Sequence, residues 1–500
     1  MPISVLTQAE ALGVKTGQIY LDGRWRDASG GGVWTQRHPA SGEEVADLEI
    51  ASAADVDEAV QAARRAFDEG PWPQMKARDR KRIMQRIVEL VREHGDELNR
   101  LQILDNGLPI SFMGIYGVGA DIVADIFDHH AGWIDKLTGS TYPDYEGADS
   151  LRFTLREPIG VVAAIIPWNA PLMLYAQKVA PALATGCTVV LKPSEYASIA
   201  VLRLTALLEE AGVPPGVVNV VLGPAEPTGE ALITHPGIDK ITFTGSRAVG
   251  SHILEMSAKG ITGVSLELGG KSPNLVFADC PSIDVAAMTA FGMVSMGMSG
   301  QGCVCQTRAL VERPIYDEFL EKASLMAGMV KYGDPFDDTT TSAPLINTRQ
   351  LDRVMGYIDK GQEQGARLVV GGDRPAGELA GGNFVNPTLF ADVSNSMTIA
   401  QEEIFGPVLA VIPFDDEDEA IRLANNTTYG LGAGVQTADV ARALRVSRAL
   451  RAGTVGVNTF SVVPNAPFGG YKTSGLGREG GLAGIEAFTE LKTVTVATGR

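Results

Sequence analysis

Five hundred residues, 45% hydrophobic and 20% charged with 57 Gly, describe a soluble globular α/β chain of two to four domains with ample core. The formal net charge of −18 repels phosphate backbones and anionic lipid, which argues against nucleic acid or a membrane as partner. No run reaches about 18 apolar residues, four cysteines cannot frame so long a chain, and six histidines sit at no metal-ligand spacing, so a membrane span, a disulfide scaffold and a metal centre are disfavoured.

The opening MPISVLTQAEALG has neither the basic start nor the apolar run of a signal peptide, and a cytoplasmic, reduced protein is expected. Residues 18–50 alternate short apolar runs with Gly and Asp, as small strands of a lid or edge do. From Ser52 the pattern turns helical. SAAD offers a capping box, and Val56, Ala59, Val60, Ala63 and Phe67 fall on one helix face until Pro71 and Pro73 intervene. Ile83, Ile87, Leu90, Val91, Leu98 and Leu101 predict a second, single amphipathic helix, and His129 and His130 follow on a further helical stretch as surface or packing residues. Residues 138–158 are polar and turn-rich, suiting an arm or hairpin, while the terminal TELKTVTV alternates like an edge strand. Strands of this kind need covering, and pairing between subunits is one way.

Between Val161 and Cys280, apolar runs at 161–167, 188–193, 217–223, 240–245 and 274–280 alternate with helical stretches at 171–185, 197–211, 226–235 and 246–258. That alternation predicts a parallel sheet covered on both faces, with ligands beyond the carboxyl ends of its strands. Asn169, Lys192, Gly245 and Ser246 lie on that edge by position. A second series has strands near 307–312, 366–371, 408–414, 431–436 and 454–458, with helices near 314–330, 347–364, 416–426 and 438–450. Between the two lies MSGQGCVC, Met298 to Cys305. A thiol on a glycine turn can attack a carbonyl carbon, although Cys303 could equally be a small buried hydrophobe. GLGREG at Gly475–Gly480 matches the dinucleotide fingerprint letter for letter, but no strand precedes it and the chain ends about 20 positions on, so a flexible turn is expected there.

Seven strings in order, IIPWNAP, LKPSE, FTGSRAVG, LELGGKSPN, SGQGC, EEIFGPV and PFGGYKTSGLGREGG, together resemble the aldehyde dehydrogenase superfamily over about residues 18–500. The resemblance implies two doubly wound Rossmann-like α/β domains and a small β oligomerisation arm. These are an NAD-binding domain at 1–137 and 159–268, an arm at 138–158 and 484–500, and a catalytic domain at 269–483, in a homodimer or homotetramer. It implies Cys303 as nucleophile, Glu267 as general base, Asn169 as oxyanion donor and Lys178 near a proton-relay route. Cys305 becomes a packing neighbour. It places Lys192 and Glu195 at the cofactor ribose, Gly245 and Ser246 at the pyrophosphate, and Glu403 and Phe405 at the nicotinamide end. Ile165, Pro167, Trp168, Ser194 and Leu268 fall beside them, and no metal is implied.

The chemistry supports those roles. A free carbonyl carbon releases no hydride easily, whereas a thiolate adduct does so once its oxyanion is stabilised by aimed donors. The resulting thioester needs a base to activate water. No His stands in a Cys–His context, so a carboxylate must serve, and Glu267 sits in an apolar, Gly-bounded run that raises its pKa. Glu195 would repel a 2′-phosphate, favouring NAD over NADP.

Two positions depart from the family pattern. Met298 stands where Asn is common, and Ala170 where an aromatic is common; both leave the pocket more apolar, and Ala170 leaves it wider. The loop NTFSVVPNA (458–466) resembles the substrate entrance, with Phe460, Val462 and Val463 as an apolar lip. Met293, Met296 and Met298 either line the tunnel or belong to the core. An aliphatic, terpenoid or aromatic aldehyde is expected. Betaine aldehyde is disfavoured because Ala170 removes one obvious aromatic face for its cation. A CoA-acylating relative and a non-catalytic protein on the same scaffold are the alternatives.

Overall fold

In the computed structural model, residues 9, 12–13, 17–145, 147 and 149–498 are described. Most of the opening thirteen residues, Glu146 and Ala148 of the 138–158 segment, and the last two residues lie outside them, so the leader expectation does too.

The chain begins with β1 (Ile19–Leu21), β2 (Arg24–Arg26) and a hairpin of β3 (Gly32–Arg37) and β4 (Glu44–Ile50). Helix Ala53–Asp68 starts where the capping box predicts it: the Ser52 hydroxyl accepts from Asp55 N, and the Asp55 carboxylate accepts from Ser52 N. The expected single helix over 83–101 is instead two, Ala77–Glu93 and Gly95–Asn106, broken at His94. His94 leaves helical angles there and Gly95 restarts the helix on a new axis, a break that side-chain periodicity does not register.

Strands β5 (Thr141–Tyr142), β6 (Ser150–Pro158), β7 (Val161–Ile166), β8 (Thr188–Pro193), β9 (Val218–Val220), β10 (Lys240–Thr244) and β11 (Gly263–Glu267) follow. Five of these, with partners from both ends of the chain, build an eight-stranded sheet ordered β19-β11-β10-β7-β8-β9-β1-β2, where β19 is Gly475–Leu476. Its central five strands are parallel, and all residues of β8 are buried, which explains the unbroken apolar run.

The second sheet is ordered β14-β15-β16-β13-β12-β17-β18. Its strands are β12 (Pro273–Val276), β13 (Arg308–Glu312), β14 (Arg367–Val370), β15 (Thr388–Ala391), β16 (Val408–Phe414), β17 (Gly432–Gln436) and β18 (Thr454–Val457). Successive residues feed two separate cores: Leu275 and Leu310 one, Val276 and Val311 the other. Two corrections follow. The run 274–280 does not close the first series: β12 pairs with β13 and β17, because LGGKS carries the chain out of the first sheet. The short strand β15, set among Asn and Pro, was not anticipated.

A third sheet, β20-β6-β5, contains β20 (Thr489–Ala497) paired antiparallel with β6 along nine residues, from Thr489 opposite Pro158 to Ala497 opposite Ser150. The two expected edge strands therefore cover each other within one chain. GLGREG is no flexible turn, since Gly475 and Leu476 pair with Glu267 and Leu266. Among the described residues no helix is long and apolar enough to cross a membrane, and no cluster of metal-ligating side chains forms.

Candidate active site

The carboxyl ends of the first sheet and the thiol segment meet at a cavity of about 460 Å³, lined among others by Asn169, Glu267, Cys303, Glu403 and Phe405. The thiol segment reaches it through a left-handed pair, Ser299 and Gly300. A Cβ on Gly300 would lie 2.0 Å from the Gly406 carbonyl, so only glycine passes there. Opposite, a Cβ on Gly270 would lie 2.6 Å from the Cys303 carbonyl, and one on Gly269 would strike the Glu403 carboxylate. Gly269 and Gly270 together with Gly300 let the neighbouring backbone close on the thiol segment.

Burial pushes the Cys303 thiol well up, with Glu403 and Glu267 adding to the rise, so it rests protonated. Cys305 is buried, its thiol pushed to about 11 by burial, and its sulfur lies 3.9 Å from the Met293 carbonyl.

Asn169 precedes helix Pro171–Thr185, which opens with proline in its first turn and ends at the left-handed Gly186. Its Nδ2 donates to the Gln301 carbonyl at 3.0 Å, leaving the second N–H of the amide for another acceptor. The turn is held from behind by a residue the sequence did not single out. The Asn106 side chain donates to the carbonyls of Trp168 and Asn169 at 3.2 and 3.3 Å. Asn106→Ala is expected to lower stability by about 1–3 kcal/mol through the orphaned carbonyls. Thermal melts with and without cofactor would check it; unchanged melting would mean the turn holds itself.

Glu267 ends β11, 4% exposed, and its Oε2 has no hydrogen-bond partner among the described residues. Burial raises its pKa well above the carboxylate range. Glu479 raises it further, while Lys178, Arg478 and the Gly470 N–H oppose the rise. Lys178, fully buried on helix Pro171–Thr185, pairs with Glu479 at 2.5 Å and touches Thr242 Oγ1 at 3.3 Å. Glu479 was missed, although it stands inside the GLGREG string; only the β19–β11 pairing reveals that the string runs beside Glu267.

A model of the aldehyde dehydrogenase family matches residues 25–494. The chain belongs to the aldehyde dehydrogenase family. It is thus an NAD(P)-dependent oxidoreductase of aldehydes with the Rossmann-like two-domain fold. It is 44% identical over 484 residues, 96% of each chain, to a putative aldehyde dehydrogenase of Bacillus subtilis. It superposes on the aldehyde dehydrogenase of Bacillus cereus in complex with NAD+ at a TM-score of 0.95, with 39% identity over the whole of both chains. Betaine aldehyde dehydrogenase from Staphylococcus aureus, also in complex with NAD+, superposes at 0.95 with 35% identity, covering 99% of this chain and 98% of that one.

The side of this aldehyde dehydrogenase expected to take a dinucleotide has the donor set for one. Gly245 and Ser246 open helix Arg247–Gly260, with the Ser246 hydroxyl accepting from Val249 N, a helix start suited to phosphate. Lys192, buried at the end of β8, gives Nζ to only the Pro193 carbonyl at 3.2 Å and keeps further donors for ribose hydroxyls. Burial lowers its pKa, and nearby Glu195 counters the fall. Trp168 meets Phe405 edge to face at 5.5 Å. Pro167, Trp168, Gly245, Ser246, Leu268, Glu403 and Phe405 line the cavity; Ile165, Lys192, Ser194 and Glu195 lie outside its lining, at the strand ends beyond.

Glu403 is itself held. Its Oε1 accepts from Gly270 N at 3.0 Å, Arg353 donates to its carbonyl at 2.6 Å, and Gln350 donates to the carbonyls of Ile404 and Phe405. Burial raises the Glu403 carboxyl to about 6. Gln350 and Arg353, one turn apart on helix Thr348–Glu363, carried no signal beyond an ordinary polar face. Of the three methionines before the thiol, Met293 and Met298 line the cavity and Met296 does not. The cavity does carry aromatic faces, from Trp168, Phe405, Phe460 and Phe468, so Ala170 removes one such face rather than all.

Proposed function

We propose that this enzyme oxidises an apolar aldehyde to its carboxylic acid with NAD+, through a covalent adduct on Cys303. The presence of Cys303, Asn169 and Glu267 in the lining of one cavity carries the reading. The Cys303 sulfur adds to the carbonyl carbon, forming a C–S bond as the C=O π pair moves onto oxygen and the thiol proton passes to solvent water. The free N–H of Asn169 stabilises the oxyanion. When bound, NAD+ would be held by Lys192, Glu195, Gly245, Ser246, Glu403 and Phe405 and would supply the hydride acceptor whose action leaves a thioester on Cys303. Glu267 then takes a proton from water, the hydroxide adds to the thioester carbonyl, the C–S bond breaks and the thiolate leaves. The Lys178–Glu479 pair passes the proton onward from Glu267. Glu195 favours NAD+ over NADP+. A cytoplasmic homo-oligomer joined through the β20-β6-β5 arm completes the reading.

The substrate reading rests on the lining. Ala170, Met173, Leu174, Met293, Met298 and Val462 offer apolar walls to the route toward the thiol. The test is an NADH-absorbance panel of aliphatic, aromatic and terpenoid aldehydes and betaine aldehyde, run with NAD+ or NADP+ and with or without CoA. Apolar aldehydes with NAD+ should lead, and CoA should leave the rate unchanged. Betaine aldehyde as best substrate would sink the apolar reading, and a CoA requirement would sink the hydrolytic one.

The pH dependence has a sign. A raised Glu267 pKa keeps the carboxyl protonated above the ordinary carboxylate range, so kcat should climb with pH through that raised value. Lys178→Met removes the opposing positive charge and should move the climb to higher pH; Glu479→Gln removes a negative charge and should move it lower. Profiles shifting in the same direction would exclude this electrostatic coupling.

A further inference from the structure

The cavity wall built by helix Pro171–Thr185 is apolar until it reaches Gln177. Ala170, Met173, Leu174 and Gln177 line the cavity at the spacing of one helix face, while Tyr175, Ala176 and Lys178 on the other faces are fully buried. The stripe starts beside Asn169 and climbs away from it. Gln177 therefore lies about 10 Å along the helix axis from Ala170, at a rise of about 1.5 Å per residue. It also borders a side pocket of about 20 Å³ with Val462 and Phe468, which sets it level with the entrance loop 458–466.

The Gln177 amide makes no hydrogen bond to the described residues. Nor is it sealed off: the side chain is only half-buried, whereas the Thr244 hydroxyl and Glu267 Oε2 of the same cavity are buried without partners. An amide carries two donor hydrogens and an acceptor oxygen with no net charge. Solvent satisfies these groups until a substrate tail covers them. A purely apolar tail then leaves them unpaired, which costs binding, whereas a tail with an oxygen at that level replaces the lost bonds. No charged side chain belongs to the stripe, and the cavity's charged linings, Glu267, Arg353, Glu403 and Glu479, are those at the proposed base, its ion pair and the cofactor end. A charged tail group would give up its hydration over the stripe without a counter-charge.

We infer that Gln177 is a specificity-determining residue whose side-chain amide hydrogen-bonds an uncharged oxygen function on the tail of the aldehyde. The preferred substrate then has an apolar middle and a hydroxyl or carbonyl group about 10 Å from the carbon that meets Cys303. This deepens the apolar-aldehyde reading and rests on it.

The test measures kcat/KM for straight-chain aldehydes of increasing length and for their terminally hydroxylated counterparts. In the wild type, short members of the two series should behave alike, and at the length that reaches Gln177 the hydroxylated member should exceed its parent by about tenfold. Gln177→Met keeps the length of the side chain and removes the amide. It should bring that ratio to about one and leave the short parents within about twofold. Gln177→Asn withdraws the amide by one carbon and should move the gain to a homologue about one methylene longer, a change of register that a purely structural role would not give. The role of Gln177 is overturned if no hydroxylated aldehyde gains in the wild type, or if the gain survives Gln177→Met. Parents oxidised without any gain sink this role alone; if the wild type oxidises neither series, the apolar-substrate reading falls and takes this role with it.

Discussion

Cys303→Ala should lower turnover by on the order of 10⁴-fold or more while NAD+ still binds, because removing a covalent nucleophile removes the step every later one depends on. The groups proposed to hold the dinucleotide, Lys192, Ser246, Glu403 and Phe405, make contacts that do not involve the sulfur, so calorimetric titration of NAD+ should change little. Cys305→Ala should keep most of the activity, since its side chain packs against the Met293 carbonyl. The pair discriminates between two thiols two positions apart. A fully active Cys303→Ala, or an inactive Cys305→Ala that still binds NAD+ and melts normally, would move the nucleophile or remove it from the mechanism.

Glu267→Gln should separate the two halves of the reaction. Addition and hydride loss can still occur on Cys303, so rapid mixing should give a burst of NADH approaching one per active site. Hydrolysis loses its base, and the steady rate after the burst should fall by roughly 10²–10⁴-fold. The substitution is near-isosteric and removes a charge whose burial is unfavourable, so the protein should be at least as stable as the wild type above the raised pKa. An unchanged steady rate would take Glu267 out of the hydrolytic step. A vanished burst would place it before the thioester instead, as the acceptor of the Cys303 proton.

The sequence carried the architecture well where burial is symmetrical. Strands such as Val161–Ile166 and Thr188–Pro193 are apolar throughout because helices cover both faces, and that signature needs no tertiary knowledge. It failed where geometry is decided by a distant partner. β15 is four residues long and is a strand only because β14 and β16 flank it. The break at His94 leaves the apolar spacing on both sides intact. In the site, the residues proposed to do the chemistry sit in recognisable strings, whereas those that contact their backbone do not. Asn106 acts through the backbone of Trp168 and Asn169, and Gln350 and Arg353 through the carbonyls around Glu403. Backbone-directed contacts leave no pattern in the letters of the segment they support. Glu479 is the instructive miss: its string was dismissed as a nucleotide motif, and its real neighbours, Lys178 and Glu267, come from strands and helices two to three hundred positions earlier.

The pairing of β20 with β6, and of β19 with β11, also sets an order of events during synthesis. Residues 150–158 and 263–267 emerge from the ribosome long before their partners at 489–497 and 475–476. Until residues 475–497 have been made, two strand edges stay open, and β6 displays Leu151 and Leu155 beside unpaired amides. A chain that stops short of residue 489 therefore leaves β6 with an open edge, a template for pairing with another strand.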